Sequence, residues 1–132
     1  MLRSFALSVG SAAVQSGGQV HGGNAVMITN GTSLSALKEG AQAIDAPSER
    51  SSSDSLTYNR FGGLGTFSYG VLDTHFSERN RTLRLATLLD DLNASQAQPA
   101  FGFGVDETTA LVVIKSEAGN LMTVIGKNGV VM

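Results

Sequence analysis

Residues 73–85 read DTHFSERNRTLRL, and the reading of this stretch decides how the chain is laid out. It holds one histidine, two acids and three arginines, and it passes directly into the leucine-rich run TLRLATLLDDL. Charge this dense belongs on a solvated surface. Here it lies between a strand-like run, GTFSYGVLDTH, and a helix-like one. In a strand, side chains two apart share a face, so Asp73 and His75 point one way and Thr74 the other. Ser77 is expected to cap a helix reaching about residue 92, with Glu78 favoured at its positive end. Leu85, Leu88, Leu89 and Leu92 form the apolar stripe of that helix. At about 100° per residue, Arg81 and Arg84 fall on the same stripe, while Arg79 sits elsewhere. Two accounts of these arginines are open. They are buried and paired with a carboxylate, Asp73 or a later acid, or they lay their stems on the leucines with their heads in water.

Working outward, AFGFGV (100–105) reads as a second strand. ALVVIK and LMTVIG are β-branched runs joined by SEAGN, which signals a hairpin, and KNG marks a turn before the terminal VVM. Upstream, NAVMIT (24–29) is a short apolar run, either a strand or a buried helical turn. SLSALKEGAQAI (33–44) predicts a helix with Ser33 as N-cap and Leu34, Leu37, Ala41 and Ile44 on one face, weakened by Gly40. Residues 45–60 are polar, serine-rich and broken by Pro47, and read as an exposed loop. The order strand, helix, strand, hairpin predicts an α/β fold with a mixed sheet and a C-terminal β-hairpin.

The chain has 132 residues, the size of one small domain, 1–132. Its net charge of −2 gives no reason to expect nucleic acid or an anionic membrane as a partner. The absence of cysteine excludes disulfides, thiolate catalysis and cysteine-ligated zinc. His21 and His75 are the only histidines and no HxH or HExxH spacing occurs, so no metal and no cofactor is expected. No apolar run is long enough to cross a membrane. The N-terminal MLRSFALSVGSAAVQ has the rough pattern of a signal peptide, and an unrelated leader joined to the domain is the competing reading; the compartment is left open.

A second charged block is GFGVDETTALVV (102–113), in which Asp106 and Glu107 stand between a glycine-rich run and a strand. Loops at strand ends are where α/β proteins place their chemistry. A carboxylate that orients His75 would fix its tautomer and stabilise its imidazolium form, while the alternative is two acids that solvate a turn.

Taken together, the two blocks resemble a known family. LDTHFSERNRTLRL is similar to the motif D-Q-H-F-x-x-R-x-R-x-x-R-L of cyanophycinases, and GFGVDETTALVV to their G-I-G-I-D-E-x-T-A-L-V-V. GGLGTFSYGVLDTHF resembles the lead-in to the histidine strand. The resemblance, to cyanophycinase-like serine peptidases related to aspartyl dipeptidase, spans most of residues 61–114. It implies part of a three-layer sandwich of the class I glutamine amidotransferase type, with the N-terminal half missing. It implies a serine–histidine–glutamate triad in which His75 is the base and Glu107 its orienting acid. Asp73, Arg79, Arg81 and Arg84 match the charged residues around the histidine, as substrate-binding or structural groups, and Thr74 stands where the family has glutamine. The nucleophile region resembles ALSVGSAAVQSGGQ; an ungapped match places Val9 at the nucleophile, and a two-residue gap places Ser11 there, with no strand read ahead of it. The implied activity is cleavage of aspartyl peptide bonds, weak or absent in a chain that lacks half the domain. The partners expected are a peptide or polyaspartate-type substrate and a second copy in a homodimer. The alternative is a non-catalytic remnant or interaction module of the same ancestry. A glutamine amidotransferase is disfavoured, since that chemistry uses cysteine.

Overall fold

The computed structural model describes residues 3–9, 26–49, 51–61, 67, 69–95 and 101–132. The fold is mixed α/β, with nine short strands in three small sheets and two helices among the described residues. The strands are β1 (Arg3–Val9), β2 (Met27–Asn30), β3 (Ala41–Ala43), β4 (Leu56–Asn59), β5 (Val71–Thr74), β6 (Gly102–Val105), β7 (Thr109–Ser116), β8 (Gly119–Gly126) and β9 (Val130–Val131). The helices are α1 (Ser33–Glu39) and α2 (Thr82–Ser95).

The sheet that positions the site has the order β5-β6-β9. β5 and β6 are parallel, with Asp73 beside Gly104 and Thr74 beside Val105, and α2 lies between them in the chain as their crossover. Parallel neighbours require such a crossover, and they deliver the residues after each strand to the same end of the sheet. Both strands are buried throughout. Val71 packs with Ile28, Leu56, Leu85, Leu88 and Leu92 in one core cluster. Its neighbour Leu72 points the opposite way, into a second cluster with Phe67, Phe103, Val105, Leu111 and Val113. A strand covered on both faces needs no polar alternation; GFGV has none, and in VLDT the polar Asp73 and Thr74 are buried along with Val71 and Leu72. The hairpin β7–β8 forms as expected, and β1 adds antiparallel to the other edge of β7.

Several expectations need correction. α1 is capped by Thr32, whose hydroxyl accepts from the Ser35 N–H while the Ser35 hydroxyl accepts from the Thr32 N–H. It stops at Gly40, which has a φ of 73°, and Ala41–Ala43 becomes a strand parallel to β4. The helix therefore buries Ser35 and Ala36, and Leu34 and Leu37 face outward, each 62% exposed. The exposed loop expected over 45–60 ends sooner. Leu56 and Tyr58 alternate inward as β4, the centre of the β2-β4-β3 sheet, braced by a Thr29–Thr57 hydroxyl pair at 2.7 Å. α2 begins at Thr82, five residues after the expected cap at Ser77. Positive φ at His75 (46°) and Asn80 (49°) bends residues 75–80 into successive turns instead. A strand, β1, does precede Gly10, contrary to expectation.

Candidate functional site

The parallel register explains why His75 and Glu107 meet. Thr74 is level with Val105, so His75 and the Asp106–Glu107 pair emerge side by side where the two strands end. His75 is buried, and its Nδ1 lies against Oε1 of Glu107, whose side chain is 45% exposed. The His75 Nε2 is buried with no hydrogen-bond partner among the described residues. A carboxylate on Nδ1 holds the proton there and leaves Nε2 as the basic nitrogen.

Strained backbone brackets this pair. His75 and Thr108 both adopt left-handed φ, 46° and 55°. Such positions cost roughly 1–3 kcal/mol each and persist only where the surroundings enforce them. Backbone hydrogen bonds hold the His75 turn in this conformation. Phe76 N–H donates to the Val105 carbonyl at 3.3 Å, and Arg79 N–H to the His75 carbonyl at 3.2 Å. Phe76 in turn lies over Gly104, where a Cβ would come within 2.2 Å of the ring. Gly102, two residues earlier on the same strand face, is also closely covered: a Cβ there would come within 2.7 Å of Leu89 and 3.0 Å of Leu85.

Asp106 does not share the role of Glu107. Its Oδ1 accepts from the Ser77 N–H at 2.9 Å and its Oδ2 from the Gly129 N–H at 3.2 Å, so it ties the histidine loop to the turn before β9. Burial pushes its carboxyl pKa up, but the hydrogen bonds from Ser77 and Gly129 outweigh this and hold it below the ordinary 3.8. Glu78, expected at a helix terminus, instead accepts from the Glu107 N–H at 2.9 Å. Asn128 donates to the Glu107 carbonyl at 2.9 Å. Sequence reasoning missed Asn128 and this use of Glu78, since both act across loops 21–50 residues apart in the chain. The alternating glycines of GFGV were the available signal for the close packing beneath the histidine.

The arginines divide. Arg84 is buried and donates through Nε to Asp73 Oδ2 at 2.8 Å, through Nη2 to Oδ1 at 2.5 Å and through Nη1 to the Gly31 carbonyl at 2.7 Å. Arg81 Nη1 donates to Asp73 Oδ1 at 3.3 Å and to the Thr74 carbonyl at 2.5 Å. Burial and the neighbouring Arg84 pull the Arg81 guanidinium down to about 10, against the opposing effect of Asp73, so it stays cationic at neutral pH. Of the two accounts left open, the buried ion pair is the one found, and Asp73 is the partner of both. Arg79 is exposed. Thr74 is buried, with its N–H on Asp73 Oδ1 at 2.8 Å. Ser11 and Gly10 lie outside the described residues.

The described residues contain no group of three or more histidine, cysteine or acidic side chains that would hold a metal ion. No described helix is long and apolar enough to cross a membrane. A cleft of about 620 Å³ lies away from His75, lined by Gln42, Tyr58, Arg60 and Asp91 among others, and contains none of the expected site residues. No protein-family model matches the chain, and no solved structure matches it.

Proposed function

We propose that the chain is a serine-type hydrolase of the cyanophycinase kind, acting on aspartyl peptide bonds, with its mixed α/β core built as part of a class I glutamine amidotransferase-like sandwich. His75 is the general base, Glu107 orients it, and Ser11 is the nucleophile. The observation that carries the reading is the His75–Glu107 contact at the common end of two parallel strands. With Nδ1 against the carboxylate, Nε2 is the nitrogen that would take a proton from a serine hydroxyl. Asp73, Arg81 and Arg84 are structural in this reading, because their hydrogen-bonding groups are engaged with one another and with the backbone. Arg79, exposed beside the histidine loop, is the remaining arginine for a substrate carboxylate.

The test is hydrolysis of a β-aspartyl-arginine-containing peptide, followed by release of the dipeptide. Wild-type turnover should fall to background in Ser11→Ala and His75→Ala, and by roughly a hundredfold to ten-thousandfold in Glu107→Gln. No turnover in the wild type, or turnover indifferent to His75→Ala, rejects the reading. One observation favours the second reading, a non-catalytic remnant or interaction module: both ring nitrogens of His75 are buried, although a working base must reach its substrate. An inert wild type that keeps its fold supports that alternative.

A further inference from the structure

The turn between β8 and β9, residues 127–129, grips the loop that carries Glu107 one residue at a time. The Gly129 N–H donates to Asp106 Oδ2 at 3.2 Å, and the Asp106 N–H donates to the Gly129 carbonyl at 3.2 Å. The Lys127 N–H donates to the Thr108 carbonyl at 3.1 Å, and the Asn128 N–H to the Thr109 hydroxyl at 3.1 Å. Glu107 is held by a side chain of the turn: Asn128 Nδ2 donates to its carbonyl at 2.9 Å, and the Thr109 hydroxyl donates to the same oxygen at 3.1 Å. The Glu107 N–H donates to Glu78 Oε1 at 2.9 Å, an oxygen that the Asn128 amide also reaches at 3.5 Å. Asn128 and Glu78 are exposed and belong to neither core cluster.

We propose that Asn128 is a positioning residue for Glu107, holding the backbone from which that carboxylate reaches His75 Nδ1. The Glu107 side chain is long, flexible and 45% exposed, so packing does little to fix it. Thr108, the next residue, is in the left-handed region at a φ of 55°, a conformation that persists only under restraint. Bonds to both the N–H and the carbonyl of Glu107 supply that restraint and set the direction in which its side chain leaves the chain. Both neighbours of Asn128 Nδ2 are acceptors, so a flipped amide would set Oδ1 against a carbonyl and a carboxylate. Aspartate has the same shape but only accepts when ionised, and it cannot stand in for this donor. The consequence for turnover rests on the hydrolytic reading, while the clamp on Glu107 does not.

Proton NMR of the full chain, with isotope-labelled histidine and at low temperature, tests it. In the wild type the His75 Nδ1 proton, bonded to a carboxylate, should give a low-field resonance that is absent from His75→Ala. Glu107→Gln should move it upfield, which marks the position for a lost carboxylate. Asn128→Ala should move it part of the way and Asn128→Asp at least as far, with circular dichroism unchanged in both. Tyr58→Phe, which removes a hydrogen bond to Asp91 in the cleft away from His75, should leave it in place. In the peptide assay Asn128→Ala should lower kcat roughly tenfold with KM held. A resonance that ignores Asn128→Ala, an Asn128→Asp that matches the wild type, or an equal shift in Tyr58→Phe overturns the proposal. So does a wild type without the resonance, or a measurable kcat that Asn128→Ala leaves unchanged. The expected shifts in a chain that hydrolyses nothing reject the hydrolytic reading and retain the clamp; turnover without the shifts rejects the clamp alone.

Discussion

Asp73 has no exposed surface, and four hydrogen bonds converge on its carboxylate from the Thr74 N–H, Arg81 and Arg84. A buried pair of this kind adds little net stability over an apolar substitute, but removing one partner strands the other charge. Asp73→Ala should therefore cost about 3–5 kcal/mol, read as a shift in the denaturant midpoint. Asp106 gives a pH signature. Its folded carboxyl titrates below the ordinary 3.8, so its contribution is complete well above that pH and is lost as the pH falls through the folded value. Stability curves of wild type and Asp106→Asn, measured from neutral pH downward, should converge in acid; a constant gap would contradict the assignment. Thr108 is β-branched, exposed and at a φ of 55°, so Thr108→Gly should raise stability by about 1 kcal/mol by thermal unfolding, provided the turn itself is unchanged.

At the scale of elements, the second half of the chain was legible and the first half much less so. β5, α2, β6 and the hairpin announce themselves by apolar runs, a leucine stripe and turn residues, and each forms close to its expected place. The start of α2 was misplaced because serine and glutamate in SER imitate a cap, whereas the Ser77 N–H is taken by Asp106. α1 was misread because Leu34 and Leu37 at helical spacing suggest a core face that the fold does not use. Its seven residues are held by the Thr32 cap and the Gly40 stop instead. Thr32→Ala should cost about 1 kcal/mol, while Leu34→Lys and Leu37→Lys should each stay within about 0.5 kcal/mol of wild type in urea unfolding. The site was legible as two residue types, a histidine and an acid. What joined them was the parallel register, which no local pattern contains. Gly104→Ala tests the packing that sets this register against the histidine loop. A Cβ there overlaps Phe76, so the change should destabilise by about 1–3 kcal/mol or more and shift the His75 ring resonances.

Over the whole molecule, two core clusters lie on opposite sides of the β5–β6 pair, and Leu88 is fully buried in the one that joins α2 to the β2-β4-β3 sheet. Leu88→Ala should cost about 2–5 kcal/mol in a single cooperative transition. Arg84 links these same parts by a polar route, from Asp73 on β5 to the carbonyl of Gly31 between β2 and α1. Such links between positions some fifty residues apart were invisible in the sequence, since charge patterning shows that an arginine needs an acceptor without showing which. The order of the β2-β4-β3 sheet has a bearing on biosynthesis. β4 is the last of the three to be translated, yet it lies in the middle, antiparallel to β2 and parallel to β3. The two earlier strands share no ladder, so a ribosome that stalls before Leu56 holds a nascent segment whose backbone amides are unmatched and whose Ile28 lacks its cover. The interval between synthesis of Ala43 and Asn59 is thus the window in which this region is most open to chaperones and proteases.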